Sequence, residues 1–158
     1  MNVNKALKFK DGLEEANKQG EAKIEEQSEQ PEQSKKKKIL AVDDVSFFLK
    51  NLETQLKDTE YELVCISSGK FALTYLQKNK PDIILLDIEM PGMNGYELSE
   101  KIRELGHTAP IIFLTGTTSK DNILKAAQKG AAEYIVKPFN KEKLLEKIEK
   151  QLLLSSTP

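Results

Sequence analysis

Tryptophan is absent from the 158 residues, cysteine and histidine occur once each, and the net charge is only -1. A lone Cys65 cannot close an intrachain disulfide or build a Cys-based zinc site. It falls in an apolar run and reads as a small core residue. Without tryptophan the interior must be aliphatic, supplemented by Phe and Tyr. A nearly balanced charge supplies no field that draws the whole chain to nucleic acid or to an anionic membrane. No apolar run approaches the roughly 18 residues that span a bilayer, and the charged N-terminus is unlike a signal peptide. These absences lead to the expectation of a soluble, cytoplasmic protein.

The chain divides by composition. Residues 1–36 read as a flexible polar N-terminal extension: Glu21 to Lys38 runs EAKIEEQSEQPEQSKKKK, almost without apolar side chains, and such a segment cannot offset the entropy of its own ordering. Upstream, Val3, Ala6, Leu7 and Leu13 give a weak helical period broken by Gly12 and Gly20. Residues 1–38 hold nine Lys against eight acids, so the Lys35–Lys38 run reads as a solvated lead-in rather than a nucleic-acid patch. Residues 37–154 form the expected domain, and 155–158 a C-terminal tail.

Within that domain, short apolar runs alternate with helical periods. KKILAVDD, YELVCIS, DIILLD, PIIFLT and EYIVK read as five strands. Between and after them lie five helices. The first turns Val45, Phe48 or Leu49, Leu52 and Leu56 inward. The third is capped by Asn94 with Glu97 at the capping-box position and faces inward through Leu98, Ile102 and Leu105. Ser119 starts the fourth and Gly130 stops it, and the last faces inward through Leu145, Ile148 and Leu152. Strict alternation predicts an α/β fold with a parallel sheet covered on both faces, which is why several strands are apolar throughout.

In such sheets ligands gather beyond the carboxyl ends of the strands, at the switch point in strand order. Strand one ends on Asp43-Asp44, strand three on Asp87, strand four on Thr115 and strand five on Lys137. Each alone is unremarkable, because polar residues commonly mark strand ends. Together they converge on one edge, where three carboxylates repel and raise one another's pKa unless a cation is present. Hard oxygen ligands of this kind suit Mg²⁺. With an ammonium and a hydroxyl beside them, a carboxylate is placed to accept a phosphoryl group.

In ILAVDD, IILLDIEMPGMNGYEL, IIFLTG and YIVKPF, taken in order, the sequence from about Lys37 to Leu154 resembles the receiver domain of bacterial two-component response regulators, of the chemotaxis-type stand-alone kind. The resemblance implies a flavodoxin-like, doubly wound five-stranded parallel sheet with strand order 2-1-3-4-5. It implies that Asp87 is the phosphoacceptor, with Mg²⁺ (or Mn²⁺ in its place) held by Asp43, Asp44, Asp87 and the backbone carbonyl of Glu89. Thr115 is then the switch hydroxyl, Lys137 its charged partner, Tyr134 the aromatic that follows the switch, and Pro138 a cis proline. Implied partners are a sensor histidine kinase or phosphotransfer protein and a downstream target bound through the last two helices and strand five. Direct nucleic-acid or membrane contact is not expected, and the implied state is a monomer or a phosphorylation-dependent dimer. Only a few residues follow the last helix, so output is expected through protein contacts, through passing the phosphoryl group onward, or through the N-terminal extension.

Asn94 stands where many relatives carry Asp, with little consequence for a cap. Gly116 leaves the site open to a donor. The Glu89 side chain reads as a solvent-facing acid, with an influence on hydrolytic water as the alternative. His107, between Leu105 and Pro110, reads as a loop residue, since a donor histidine belongs on a helical bundle that this sequence does not encode. The SSGK at Ser67–Lys70 lacks P-loop spacing, and Gly69 reads as a turn into a helix. The chain is accordingly expected to be a phosphoacceptor rather than a turnover enzyme. The other two readings are an aspartate-nucleophile phosphatase, from Asp87-Ile88-Glu89, and a constitutive binding scaffold.

Overall fold

The computed structural model describes residues 35–116 and 120–156. By its contacts the chain divides into two units, 1–35 and 36–158, and the elements below belong to the second. The N-terminal extension expected over 1–36 lies outside the described residues except for Lys35 and Lys36, as do Ser119 and residues 157–158.

Five strands, β1 (Lys37–Val42), β2 (Tyr61–Ile66), β3 (Ile83–Asp87), β4 (Ile111–Thr115) and β5 (Glu133–Val136), alternate with five helices. These are α1 (Ser46–Leu56), α2 (Gly69–Leu76), α3 (Gly95–Glu104), α4 (Lys120–Gln128) and α5 (Lys141–Ser155). All pairings are parallel and the order is β2-β1-β3-β4-β5. The chain runs outward from β1 to β2, returns to β3 on β1's other side, and continues to β5. The switch point therefore lies between β1 and β3, where Val42 pairs with Leu86.

Alternation along the strands splits the core into two clusters. Leu40 and Val42 of β1, Ile84 and Leu86 of β3, and Ile111 and Phe113 of β4 pack with Ala72, Leu76, Leu98, Ile102 and Ala126 from α2, α3 and α4. Their neighbours Ile39, Ala41, Ile83, Leu85, Ile112 and Leu114 pack with Leu49, Leu52, Leu56, Leu144 and Ile148 from α1 and α5. Successive strand side chains point to opposite faces, so a strand buried on both sides has no polar position to spare. Burying one such side chain fully is worth about 1.5–3 kcal/mol.

Three helix faces differ from the sequence expectation. Val45 is the N-cap of α1 and 42% exposed, and Phe48 is half-buried, which leaves Leu49, Leu52 and Leu56 as the inner stripe. Leu105 is the C-cap of α3 and lies 46% exposed, beyond the last turn that the sheet covers. On α5 the innermost residues are Leu144, Ile148 and Gln151, with Leu145 and Leu152 half-buried at the flank. Adjacent leucines lie about 100° apart on a helix, and periodicity alone does not choose between them. Gln151 is tolerated inside because its Nε2 donates to the Ala132 carbonyl at 3.5 Å.

Candidate functional site: an acidic crevice at the switch point

Asp43 follows the fully buried end of β1, and its backbone N–H extends the ladder to the Ile66 carbonyl of β2 at 3.2 Å. This ladder bond holds the residue in line with the strand, so its carboxylate is itself fully buried. Its Oδ1 accepts from the Val45 N–H at 2.9 Å, tying it to the entry of α1. Asp44, one residue on, turns outward and is exposed. On the neighbouring strand Asp87 ends β3 and is 4% exposed. Carboxylate oxygens of Asp43, Asp44 and Asp87 lie within 4.8 Å of one another.

Lys137 closes the crevice from β5. Its N–H donates to the Thr115 carbonyl at 2.7 Å, continuing the ladder by one step, and the following Lys137–Pro138 peptide is cis. Its ammonium lies 2.7 Å from Asp43 Oδ2 and 3.1 Å from Asp87 Oδ1, with the side chain only 9% exposed. The face of the Phe48 ring lies 4.0 Å from the same ammonium, measured to the ring centroid. Two buried carboxylates thus meet one ammonium, with the exposed Asp44 carboxylate at the mouth of the same cluster. Burial above all, then the Asp43 charge, pushes the Asp87 carboxyl up to about 6, while Lys137 and the Glu89 backbone N–H pull the other way. The donors are all hard oxygens, so the residues present fit a divalent cation such as Mg²⁺.

The remaining predicted residues lie around this centre. Thr115 is buried, one ladder step past the Asp87–Leu114 pair. Tyr134 of β5 pairs with Phe113 and is half-buried, with the Lys147 ammonium of α5 at 5.8 Å from its ring. Lys147 is held in turn by Glu133 at 3.2 Å. The Glu89 side chain is exposed. His107 stands apart on a loop at the opposite, amino-terminal edge of the sheet, where Nε2 bonds the Leu76 carbonyl at 2.7 Å.

Two contributors escape a reading of the sequence alone. Gly95, the first residue of α3, donates its N–H to the Ile88 carbonyl at 2.8 Å. A Cβ there would stand 2.4 Å from the Asp87 carbonyl oxygen, so the glycine lets the helix start press directly on the loop that follows Asp87. Phe48 is the other: as one of two adjacent phenylalanines it passed for a core residue, yet it faces the lysine.

Fold and site together define the class: a doubly wound α/β domain with a carboxylate and lysine crevice at its switch point. The chain belongs to the response regulator receiver domain family, whose model matches residues 39–149. The chemotaxis protein CheY of Listeria monocytogenes is 35% identical over 114 residues, covering 72% of this chain and 96% of that protein. The probable transcriptional regulator ycf27 of Cyanophora paradoxa is 36% identical over 78% of this chain, but this chain spans only about half of that relative's length, 51%. Among solved structures, Vibrio cholerae CheY4 superposes with a TM-score of 0.69 at 34% identity, over 73% of this chain and 98% of its own. The receiver domain of a Pseudomonas aeruginosa sensor histidine kinase, with a magnesium ion coordinated in its active-site cleft, gives 0.67 at 27% identity over 73% and 97%. Among the described residues no helix is long and apolar enough to cross a membrane.

Proposed function

We propose that Asp87 accepts a phosphoryl group from a phosphohistidine on a partner sensor histidine kinase or phosphotransfer protein. The observation that carries this reading is the Lys137 ammonium lodged between Asp43 and Asp87, at 2.7 and 3.1 Å. In the transfer an Asp87 oxygen forms the new bond to phosphorus, the nitrogen–phosphorus bond of the donor breaks, and the imidazole leaves with the bond's electron pair. Phosphoryl transfer needs positioning and charge neutralisation more than covalent help. Asp43, Asp44 and Asp87, with the Glu89 carbonyl, are the residues that would hold Mg²⁺ or Mn²⁺, which would supply positive charge to offset that of the transferred group. Lys137 supplies the second positive charge, and the Thr115 hydroxyl donates to the same group. The wedge formed by Gly95 holds Asp87 against recoil, since α3 backs its carbonyl.

Charge placed on Asp87 then biases a two-state element. Thr115 turns toward the crevice, Tyr134 follows, and the face made of α4, β5 and α5 presents a different surface to a downstream target protein. Supporting this reading is the ladder bond that joins Thr115 to Lys137, so the switch and the charge share one stretch of backbone. The test is to incubate the full chain with Mg²⁺ and acetyl phosphate and to record intact mass beside Asp87→Ala. One added phosphoryl group, dependent on Mg²⁺ and missing from the variant, is the expected result. An unmodified chain, with Mg²⁺ bound and a phosphohistidine donor also supplied, would sink the proposal.

A further inference from the structure

The structure assigns Phe48 a role in the site: its ring positions the Lys137 ammonium, and through that lysine it sets both Mg²⁺ affinity and the rate at which Asp87 is phosphorylated. The rate part rests on the function proposed above; the metal part does not.

An ammonium has three N–H donors. For Lys137, Asp43 Oδ2 takes one at 2.7 Å and Asp87 Oδ1 a second at 3.1 Å. The Phe48 ring, 4.0 Å away at its centroid, occupies the remaining side. A cation over an aromatic face within about 6 Å is attracted by the ring quadrupole, and more strongly where water is excluded, as it is for a side chain only 9% exposed. The ring is itself held from outside by Phe47, edge to face at 5.6 Å between centroids and 74° between planes. It is fixed from below by α1, whose start is bonded to Asp43 through the Val45 N–H. The lysine thus sits in a socket of two carboxylates and one ring, with Asp43 and Phe48 from the β1–α1 junction and Asp87 from the end of β3.

The socket has opposed consequences for its two customers. Lys137 pairs with Asp43 and Asp87, two of the three carboxylates that would hold a divalent cation, so a firmly held ammonium competes with Mg²⁺. The same firm hold places the positive charge where the transferred phosphoryl group arrives. Loosening the lysine should therefore tighten Mg²⁺ binding and slow phosphorylation, a pair of changes that general damage to the site does not produce.

The experiment uses the full chain with Phe48→Leu, which keeps apolar bulk, and Phe48→Tyr, which keeps the ring, each alone and combined with Lys137→Ala. Mg²⁺ affinity is measured by calorimetric titration and phosphorylation by intact mass against time in acetyl phosphate at saturating Mg²⁺. We expect Phe48→Leu to bind Mg²⁺ about threefold more tightly and to be phosphorylated about three- to tenfold more slowly, with Phe48→Tyr close to the parent. In the Lys137→Ala background Phe48→Leu should leave Mg²⁺ affinity unchanged, because the ring then has no ammonium to hold. Ring-current displacement of the Lys137 ε-methylene protons should be lost in Phe48→Leu and kept in Phe48→Tyr. Weaker or unaltered Mg²⁺ binding in Phe48→Leu, or an equal change without the lysine, overturns the assignment. If the parent chain takes no phosphoryl group at all, the functional proposal fails, while the Mg²⁺ titrations and the proton shifts still decide whether Phe48 positions Lys137.

Discussion

Asp87 stays partly protonated near neutral pH because burial and Asp43 outweigh Lys137 in setting its value of about 6. The unfolded chain exposes the same carboxyl at its ordinary value. Between pH of about 4 and 6, the folded protein therefore keeps a proton that the unfolded chain has released, and stability falls as pH rises through that window. The loss by pH 7 is about 2–3 kcal/mol, from 1.36 kcal/mol per pK unit. Asp87→Asn imitates the protonated form. In chelator it should be about 1–3 kcal/mol more stable than the parent at pH 7, with the gap closing near pH 4, as read from urea unfolding at a series of pH values. A gap that widened on acidification would contradict the buried-charge account. Mg²⁺ needs the ionised carboxylate, so its affinity should drop as pH falls below about 6, a trend that calorimetric titration at pH 5 and pH 7 would reveal.

The start of α3 is the element on which the site leans. Alanine normally favours a helix over glycine by about 0.5–1 kcal/mol, yet at Gly95 the added carbon would meet the Asp87 carbonyl oxygen at 2.4 Å and Ile88 Cα at 2.8 Å. Backbone on both sides leaves nothing flexible to yield. Gly95→Ala should destabilise the fold by about 1–3 kcal/mol, the usual cost of overpacking, and should weaken Mg²⁺ binding by displacing the Asp87 loop. Asn94→Ala, which removes the side-chain acceptor for the Glu97 N–H, should cost about 1 kcal/mol and leave Mg²⁺ affinity alone. Measuring both quantities on both variants separates the wedge from the cap. At this scale much was legible. Asn94 and Glu97 formed the predicted capping box, because capping chemistry is local to four residues. The Gly95 wedge was not legible, since it depends on how closely α3 approaches a strand end eight residues away in a different element. Val45 and Leu105 failed for a related reason: a helical period gives direction around the axis but not where along it the sheet ceases to cover.

For the molecule as a whole, the sheet separates two clusters that share a backbone and little else. Ile83 faces α1 and α5 while Ile84 faces α2, α3 and α4. Ile83→Val and Ile84→Val should each cost about 0.5–1.5 kcal/mol, and their sum should match the double variant within about 0.5 kcal/mol. Ile84→Val paired with Ile111→Val, neighbours in the ladder and in one cluster, should depart from additivity by more. Urea denaturation of the three single variants and two doubles tests this, and a coupled Ile83–Ile84 pair would argue against separate clusters. The parallel sheet covered on both faces and the carboxyl-edge crevice followed from strand alternation, whereas the sheet order came only with the family resemblance carried by four short motifs. The pairing of Lys137 with Asp43 and Asp87 at once, and the Phe48 ring over it, came only from side-chain placement. Neighbouring phenylalanines 47 and 48 look alike in sequence, and only one can face the lysine.

Cys65 is half-buried beside α1, with its thiol pushed up to about 11 by burial and by Glu53. At neutral pH only about one such thiol in ten thousand is ionised, and the thiolate is the reactive form. Together with the missing tryptophan, this makes the chain a dark background for optical work. A single dye-bearing cysteine at exposed Leu124 on α4, or a single tryptophan there, would give a signal from one place only. The proposed movement of the α4 face under acetyl phosphate could then be tested in real time without altering any native side chain of the crevice.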